Sequence, residues 1–385
     1  MADRTLIVGD LHLGKGLSIG RPSIDGSLNS RLADQIRLLN WCLDLAISKD
    51  ASRIIITGDV FDELKPDANM VVIFMDWLKH CQDYGLDVHI IFGNHDLKRI
   101  GNRYTSILNI IEAAELENIF IYNRVYTLHT EDASFTFFPF RDRRSLDANT
   151  IDEAIDKINI LLSFESTSIS KTKVLIGHLA IEKSFWTDEI DDLTNEIMVP
   201  LPSFEGYDYV WMGHVHKPQV FSKKPYIAHI GSIDISDFGE TEQEKVVVLF
   251  DSDGFEEIKL PTRPLKRIRL DIPKEENPTD CLLNEINKQS FNDAIVKIEI
   301  KLIDPNAVEI DRDKIVNRLY KLGAYYVSGF SESRSSRIIS DDKQEEWQAI
   351  EPKAAVKLWA SKQDFPDDER DEFISACIEV VNEHS

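Results

Sequence analysis

No run of apolar residues in this chain approaches the roughly 18 needed for a membrane-spanning helix, so a bilayer protein is not expected. Thiols are few. Cys42, Cys81, Cys281 and Cys377 are scattered without any Cys-x-x-Cys spacing, which excludes a disulfide framework and a thiolate metal site and reads as reduced, mostly packed cysteine. Positive charge is also short: 44 Lys and Arg against 67 Asp and Glu give a net charge of −23. That balance argues against a protein that coats nucleic acid by itself, though not against an enzyme whose phosphate affinity comes from local patches, a metal or a partner. Internal repeats and low-complexity tracts are absent. Met1-Ala2-Asp3-Arg4 runs straight into a strand pattern with no signal peptide, so a cytoplasmic setting is expected. A chain of 385 residues exceeds one ordinary core, and two or three domains are expected.

What the chain does have is five short motifs in fixed order: Asp10-Leu11-His12, Gly58-Asp59, Gly93-Asn94-His95-Asp96, Gly177-His178 and Gly213-His214-Val215-His216. Each follows an apolar run that reads as a strand, namely Thr5–Val8, Arg53–Ile56, Val88–Phe92, Lys173–Ile176 and Tyr209–Met212. Side chains delivered from the carboxyl ends of several strands converge on one point in an open α/β sheet. Oxygen and imidazole donors without thiolates suit manganese, iron or zinc in a reactive site better than a structural zinc. His80, His89, His129, His229 and His384 lie outside the motifs and read as surface or satisfied interior histidines, His229 being the most ambiguous.

Residues 4 to about 260 alternate strand and helix patterns. Ser30 to Ser48 is amphipathic, with Leu32, Ile36, Leu39, Leu43 and Ile47 at helical spacing. A second helix opens at Pro66 and stops at Gly85. Its middle, Met70 to Met75, is apolar nearly all round, and a further helix is expected from about Tyr104 to Glu115. Met70, Ile73, Phe74 and Trp77 with Ile107 and Ile111 exceed what one buried face needs, which predicts a homodimer through these helices. Pro261 and Pro264 bracket the expected domain boundary. A strand-helix-strand-helix-strand unit follows to about Ser331, then a polar linker, then two short amphipathic helices after Pro352. Basic clusters occur at Lys98-Arg99 with Arg103, at Arg141 with Arg143-Arg144, at Lys223-Lys224, and at Arg263 with Lys266, Arg267 and Arg269. Arg99, Arg103 and Arg141 are the candidates for substrate contact, because the first two follow the His95 loop and the third follows the strand-like Phe135–Phe138.

The five motifs together resemble those of the calcineurin-like metallophosphoesterases. Within that superfamily, Gly9-Asp10-Leu11-His12-Leu13-Gly14, Gly58-Asp59-Val60-Phe61-Asp62 with Pro66, a third motif ending in Asp96, and Gly231-Ser232 with Asp237–Glu240 and Glu244-Lys245 look most like SbcD and its Mre-eleven relatives. Asp62 stands where some relatives carry histidine, which leaves the balance of exonuclease and endonuclease activity open. The resemblance implies an α/β fold: a metallophosphoesterase β-sandwich flanked by helices over 1–262, a small α/β capping domain over 263–331, a linker over 332–351, and a C-terminal helical hairpin over 352–385.

Phosphodiesters are anionic and resist attack, so hydrolysis calls for two metals that neutralise charge and activate water, with a carboxylate shared between them. Asp59 is the candidate bridge, because Gly58 lets the backbone turn sharply at the strand end. By similarity, Asp10, His12, Asp59 and His216 hold one divalent ion and Asp59, Asn94, His178 and His214 the other, with Mn²⁺ favoured over Mg²⁺, Fe²⁺ or Zn²⁺. His95, left outside the ligand set, matches the family's general acid, and Asp96 either orients it or shapes a turn. The implied activity is a two-metal DNA nuclease acting with an SbcC-type coiled-coil ATPase in double-strand-break processing. Leu358, Trp359, Phe373, Ile374, Cys377 and Val381 are the residues expected to bind that ATPase. The acidic charge and short linker suggest a compact, even phage-encoded, member working in a host cytoplasm. The alternatives are a small-molecule phosphodiesterase or phosphatase of the same fold, and a scaffold that has lost its chemistry.

Overall fold

The structure, a computed structural model, describes residues 3–22, 28–100, 103–165, 172–185, 196–274, 276–304, 306–335, 374, 376 and 377. Two six-stranded sheets form its centre. The first runs Gly254–Lys259, Val246–Asp251, Arg4–Val8, Ala51–Ile56, Asp87–Ile91, Ile119–Tyr122 from edge to edge. The last four strands are parallel and the first two antiparallel additions. The second sheet runs Gln219–Lys223, Tyr226–His229, Tyr209–Met212, Thr172–Gly177, Ala133–Phe138, Tyr126–His129, parallel except at its two edges.

The alternation within each strand explains why the runs read as continuously apolar: both faces are buried. Ile7, Ile55, Ile91 and Val248 of the first sheet point inward and meet Phe135, Phe137, Val174, Ile176 and Trp211 of the second. The intervening Leu6, Val8, Ile54, Ile56, Val88 and Ile90 face outward onto helices α1 (Ser30–Ser48), α2 (Ala68–Asp83) and α3 (Leu108–Ala113). Helix α4 (Ile151–Glu165) covers the second sheet through Ala154, Ile158 and Leu162. The Asn29 side chain caps α1 by accepting from Arg31 N, and Asp67 caps α2 by accepting from Asn69 N, so α2 begins two residues after Pro66.

The surplus of apolar residues on α2 is largely accounted for within the chain. Phe74, Trp77, Leu78 and Cys81 are buried, and Trp77 Nε1 donates to Leu39 O at 2.9 Å. Val72 and Ile110 stay exposed, a smaller patch than the sequence pattern suggested. The helix expected from Tyr104 is only Leu108–Ala113, because Lys98–Ile100 and Arg103–Thr105 form a hairpin.

The capping unit is a three-stranded parallel sheet, Leu265–Ile272, Ile295–Leu302 and Tyr326–Arg334, with α5 (Pro278–Ile286) and α6 (Arg312–Lys321) packed on it. Its last strand reaches Arg334, three residues past the boundary expected at 331, so strand pairing extends into the stretch read as linker. An ionic chain, buried at its Arg31 end, ties it to the sandwich. Arg31 of α1 bonds Asp34 and Asp234, Asp34 is gripped by Arg263 Nε at 2.8 Å, and Arg263 bonds Asp293 and lies 3.8 Å over the Tyr325 ring. With Arg269 bonded to Glu299 at 2.6 Å, the basic cluster after Pro261 is largely spent on internal pairs.

Candidate metal centre

All five motifs lie where strands end along one edge shared by the two sheets. Asp10 follows Arg4–Val8, Asp59 follows Ala51–Ile56 and Asn94 follows Asp87–Ile91, while His178 and His214 follow Thr172–Gly177 and Tyr209–Met212 of the second sheet. The local backbone turns hard to bring them in. Gly58 has φ 114°, and His12 (43°), Asp59 (46°) and His214 (79°) occupy the left-handed region. Non-glycine residues there cost on the order of 1–3 kcal/mol each, strain that the surrounding packing sustains.

Asp59 stands at the middle. Its Oδ2 lies 3.3 Å from His12 Nε2 and 3.3 Å from His178 Nε2, while Oδ1 accepts from the His95 backbone N at 2.8 Å. On one side His12 Nε2 faces His216 Nε2 at 2.9 Å, and donor atoms of Asp10, His12 and His216 gather within 4.8 Å of one another. On the other side Asn94 Oδ1 lies 3.0 Å from His178 Nε2 and 2.9 Å from His214 Nδ1. Asp10 accepts from Thr57 Oγ1 at 2.8 Å and from the His214 backbone N at 2.7 Å, which fixes both carboxylate oxygens.

These residues fit a pair of divalent ions. Two donors bound at about 2.1 Å and roughly 90–105° apart lie about 3.0–3.3 Å from each other, and the donor separations above cluster there. The electrostatics agree. Burial opposes charge on His12 and His178, yet the Asp59 and Asp62 carboxylates raise His12 to about 9, and Asp59 with Asp10 raises His178 to about 10. Burial likewise opposes the Asp59 carboxylate, but the His178 and His12 rings hold it well below its ordinary value. A pocket that pulls protons onto buried imidazoles attracts cations.

Each imidazole also has its far nitrogen turned to an oxygen. His12 Nδ1 lies 3.2 Å from Asp62 Oδ1, His178 Nδ1 2.7 Å from Thr57 O, His214 Nε2 3.0 Å from Glu196 Oε1, and His216 Nδ1 3.4 Å from Glu240 Oε1. The hydrogen bonds at His178 and His214 fix the tautomer and leave the near nitrogen's lone pair for a metal, while Asp62 and Glu240 face the other two rings as charge partners. Thr57, Glu196 and Glu240 received no role from the sequence. Only Glu240 left a trace there, inside the Asp237–Glu240 segment, and Asp62 was noted merely as a departure.

The His95 ring stands edge-on to His12, 4.8 Å between centroids, and its Nδ1 lies 2.6 Å from Asp62 O. Asp96 is not its partner. The Asp96 carboxylate instead accepts from Gly93 N at 2.9 Å and Val60 N at 3.0 Å, pinning the third motif to the second. Burial first, and the Asp59 charge second, raise Asp96 to about 7. His229 proves to be interior support: buried, it sits 3.0 Å from Gly213 O and from Ser184 Oγ, and burial lowers it to about 3. The Arg141 guanidinium donates to Phe140 O and Asn123 O, both at 2.8 Å, while the neighbouring Phe140 ring packs 5.7 Å from His214. The side chains of Arg99 and Arg103, and all of Leu358, Trp359, Phe373 and Val381, lie outside the described residues; Ile374 and Cys377 are helical.

Comparison with known proteins agrees with this geometry. The calcineurin-like phosphoesterase family matches residues 3–218. The SbcD component of the nuclease SbcCD from Staphylococcus epidermidis is 25% identical over 281 residues, covering 68% of this chain and 70% of that protein. Its Escherichia coli namesake is 22% identical over 294 residues, 70% of this chain and 71% of that one. The DNA double-strand break repair protein Mre11 of Aeropyrum pernix is 26% identical over 288 residues, and the alignment spans 70% of this chain but only 64% of that relative.

Proposed function

The chain belongs to the calcineurin-like phosphoesterase family, and from that premise we propose that it is the nuclease subunit of an SbcCD-like complex, a manganese-dependent enzyme cutting DNA phosphodiesters. The observation that carries the two-metal reading is Asp59 Oδ2, 3.3 Å from an imidazole of each donor set. Asp10, His12, Asp59 and His216 would hold one ion and Asp59, Asn94, His178 and His214 the other. Bound there, the ions would supply Lewis-acid charge neutralisation and acidify an attacking water.

The chain's own residues do the rest. A carbonyl only accepts, so the Asp62 O contact requires a hydrogen on His95 Nδ1. A second proton, on Nε2, is then the one His95 can give to the leaving oxygen as general acid. Asn94 contributes a neutral amide oxygen, which adds no negative charge against the substrate phosphate. The names of the relatives support DNA as substrate, and so does a second folded unit over 265–334, which a small-ester phosphatase has no need of. Residues 352–385 would dock on the coiled-coil base of the ATPase, and the exposed Val72 and Ile110 would lie in a homodimer contact.

The test is release of nucleotides from linear duplex DNA with Mn²⁺, set against hydrolysis of bis-p-nitrophenyl phosphate. Activity on both supports the assignment. Hydrolysis of the small ester alone favours a small-molecule phosphodiesterase, and no activity with any divalent metal favours a scaffold. Deleting residues 352–385 should spare nuclease activity and abolish co-purification with the ATPase.

A further inference from the structure

Among the four oxygens that back the imidazoles, Glu240 differs in being itself held by a buried cation. Glu240 is fully buried, and its Oε2 accepts from Ser236 N at 3.0 Å and lies 3.1 Å from Lys245 Nζ. Lys245 is 1% exposed, the one fully buried lysine among the described residues. Its ammonium also donates to His216 O at 2.8 Å, Ser232 Oγ at 2.9 Å and Gln243 Oε1 at 2.8 Å. Lys245 therefore grips His216 twice, at the backbone carbonyl and, through Glu240, at the far side of the ring. Ser232 N donates to the same His216 carbonyl at 3.1 Å, and Ser232 bridges to Asp10 across the strand ends. One ammonium thus sits where the tethers of His216 and Asp10 meet.

Burying an ammonium is unfavourable by several kcal/mol even after relaxation, and apolar residues fill such space at lower cost. A carboxylate behind a metal-binding histidine orients the ring and raises its basicity. It also adds negative charge beside a site that must accept a phosphate anion. Asp10, Asp59, Asp62, Glu196 and Glu240 already place five carboxylates around the cluster. Lys245 Nζ, 3.1 Å from Glu240 Oε2, offsets that carboxylate's charge at short range.

We infer that Lys245 and Glu240 form a positioning relay that sets His216 as an Nε2 donor and thereby fixes affinity for the ion held by Asp10, His12 and His216. This rests on the two-metal reading above. Its site selectivity follows from placement, since the relay's contacts run to His216 and to the Ser232 bridge with Asp10.

The test is Mn²⁺ binding to the full chain by calorimetry, alongside thermal melts of the metal-free protein. Lys245→Met, Glu240→Gln and the paired Glu240→Leu/Lys245→Met are compared; the pair leaves no uncompensated buried charge and guards against simple misfolding. Expected is a 10–100-fold weakening of one Mn²⁺ ion, with the other held within about threefold, in the folded double variant as well as in the single ones. A double variant that melts like the parent and binds both ions at parental affinity overturns the relay and leaves Lys245 a packing residue. Equal weakening of both ions in a folded variant overturns it too. A parent chain that binds no Mn²⁺ overturns the two-metal reading itself, a distinct outcome.

Discussion

Gly93→Ala is the sharpest test of how the site is built, because it adds one methyl group to a residue with no side chain to offer a ligand. A Cβ on Gly93 would stand 2.0 Å from Asp59 Oδ1 and 2.4 Å from Asp59 N. Ordinary van der Waals contact begins near 3.4 Å, so Asp59 or the loop must move by about 1 Å or more. Overpacking of this kind costs on the order of 1–3 kcal/mol of stability. A displacement of about 1 Å at a reacting centre costs roughly 10²-fold in rate. Asp59 is the oxygen shared by both donor sets, so both Mn²⁺ ions should weaken together, in contrast to the Lys245 variants. Gly329→Ala in the capping sheet is the control, since its Cβ would meet only Lys297 carbons at 3.6 and 4.0 Å. The assays are calorimetric Mn²⁺ binding, hydrolysis of bis-p-nitrophenyl phosphate and a urea melt. If Gly93→Ala binds two ions at parental affinity and turns over within about threefold of the parent, Asp59 is not where the chemistry depends on it.

Four further outcomes follow from particular contacts. His95→Ala should slow DNA cleavage by about 10²–10⁴-fold with both Mn²⁺ ions retained; loss of an ion in calorimetry would show that His95 is a ligand. Asp96→Asn leaves one acceptor oxygen for two backbone N–H groups, so stability should fall by about 1–3 kcal/mol and Mn²⁺ affinity should fall with activity; a pure activity loss would mean Asp96 serves His95 after all. Arg263→Ala removes the grip on Asp34 and should cost on the order of 1–3 kcal/mol while exposing the Pro261–Pro264 junction to limited proteolysis; an unchanged digest would show that the ionic chain does not hold the capping unit. Burial first, and the Arg53 charge second, lower His89 from 6.5 to about 3, so below pH 6.5 the unfolded chain binds a proton that the native one refuses. Stability therefore falls with pH by roughly 1.4 kcal/mol per unit from that residue, and His89→Phe, among Phe120, Tyr122 and Phe137, should flatten the urea-melt profile between pH 6.5 and 5; an equally steep profile refutes the assignment.

The candidate ligands were legible because their chemistry tolerates few substitutes and their position is fixed by topology. A donor must be carboxylate, amide or imidazole, and it must follow a strand, so the strand ends Val8, Ile56, Ile91, Gly177 and Met212 each announced a donor within the next three residues. The oxygens behind the imidazoles were not legible, since any acceptor serves. Thr57 offers a main-chain carbonyl that no side-chain pattern reveals, and Asp62, Glu196 and Glu240 come from three unrelated loops. The α2 surplus was only partly legible, for a related reason. Periodicity reports how many faces are apolar, not whether the second face meets a partner chain or the chain's own α1; Trp77 turns inward to Leu39 O, while Val72 stays exposed.

Asp62 shows how far one such acceptor can reach. Its carboxylate faces His12 Nδ1 at 3.2 Å while its carbonyl takes His95 Nδ1 at 2.6 Å, so one residue sets both a candidate ligand and the candidate acid. A histidine at this position would keep the carbonyl and lose the carboxylate. His95 would then stay oriented by the backbone, while His12 lost its charged support and His95 a nearby negative charge. The departure noted in the sequence therefore bears first on His12, which faces the Asp62 carboxylate directly, and on His95 through that carboxylate's charge nearby.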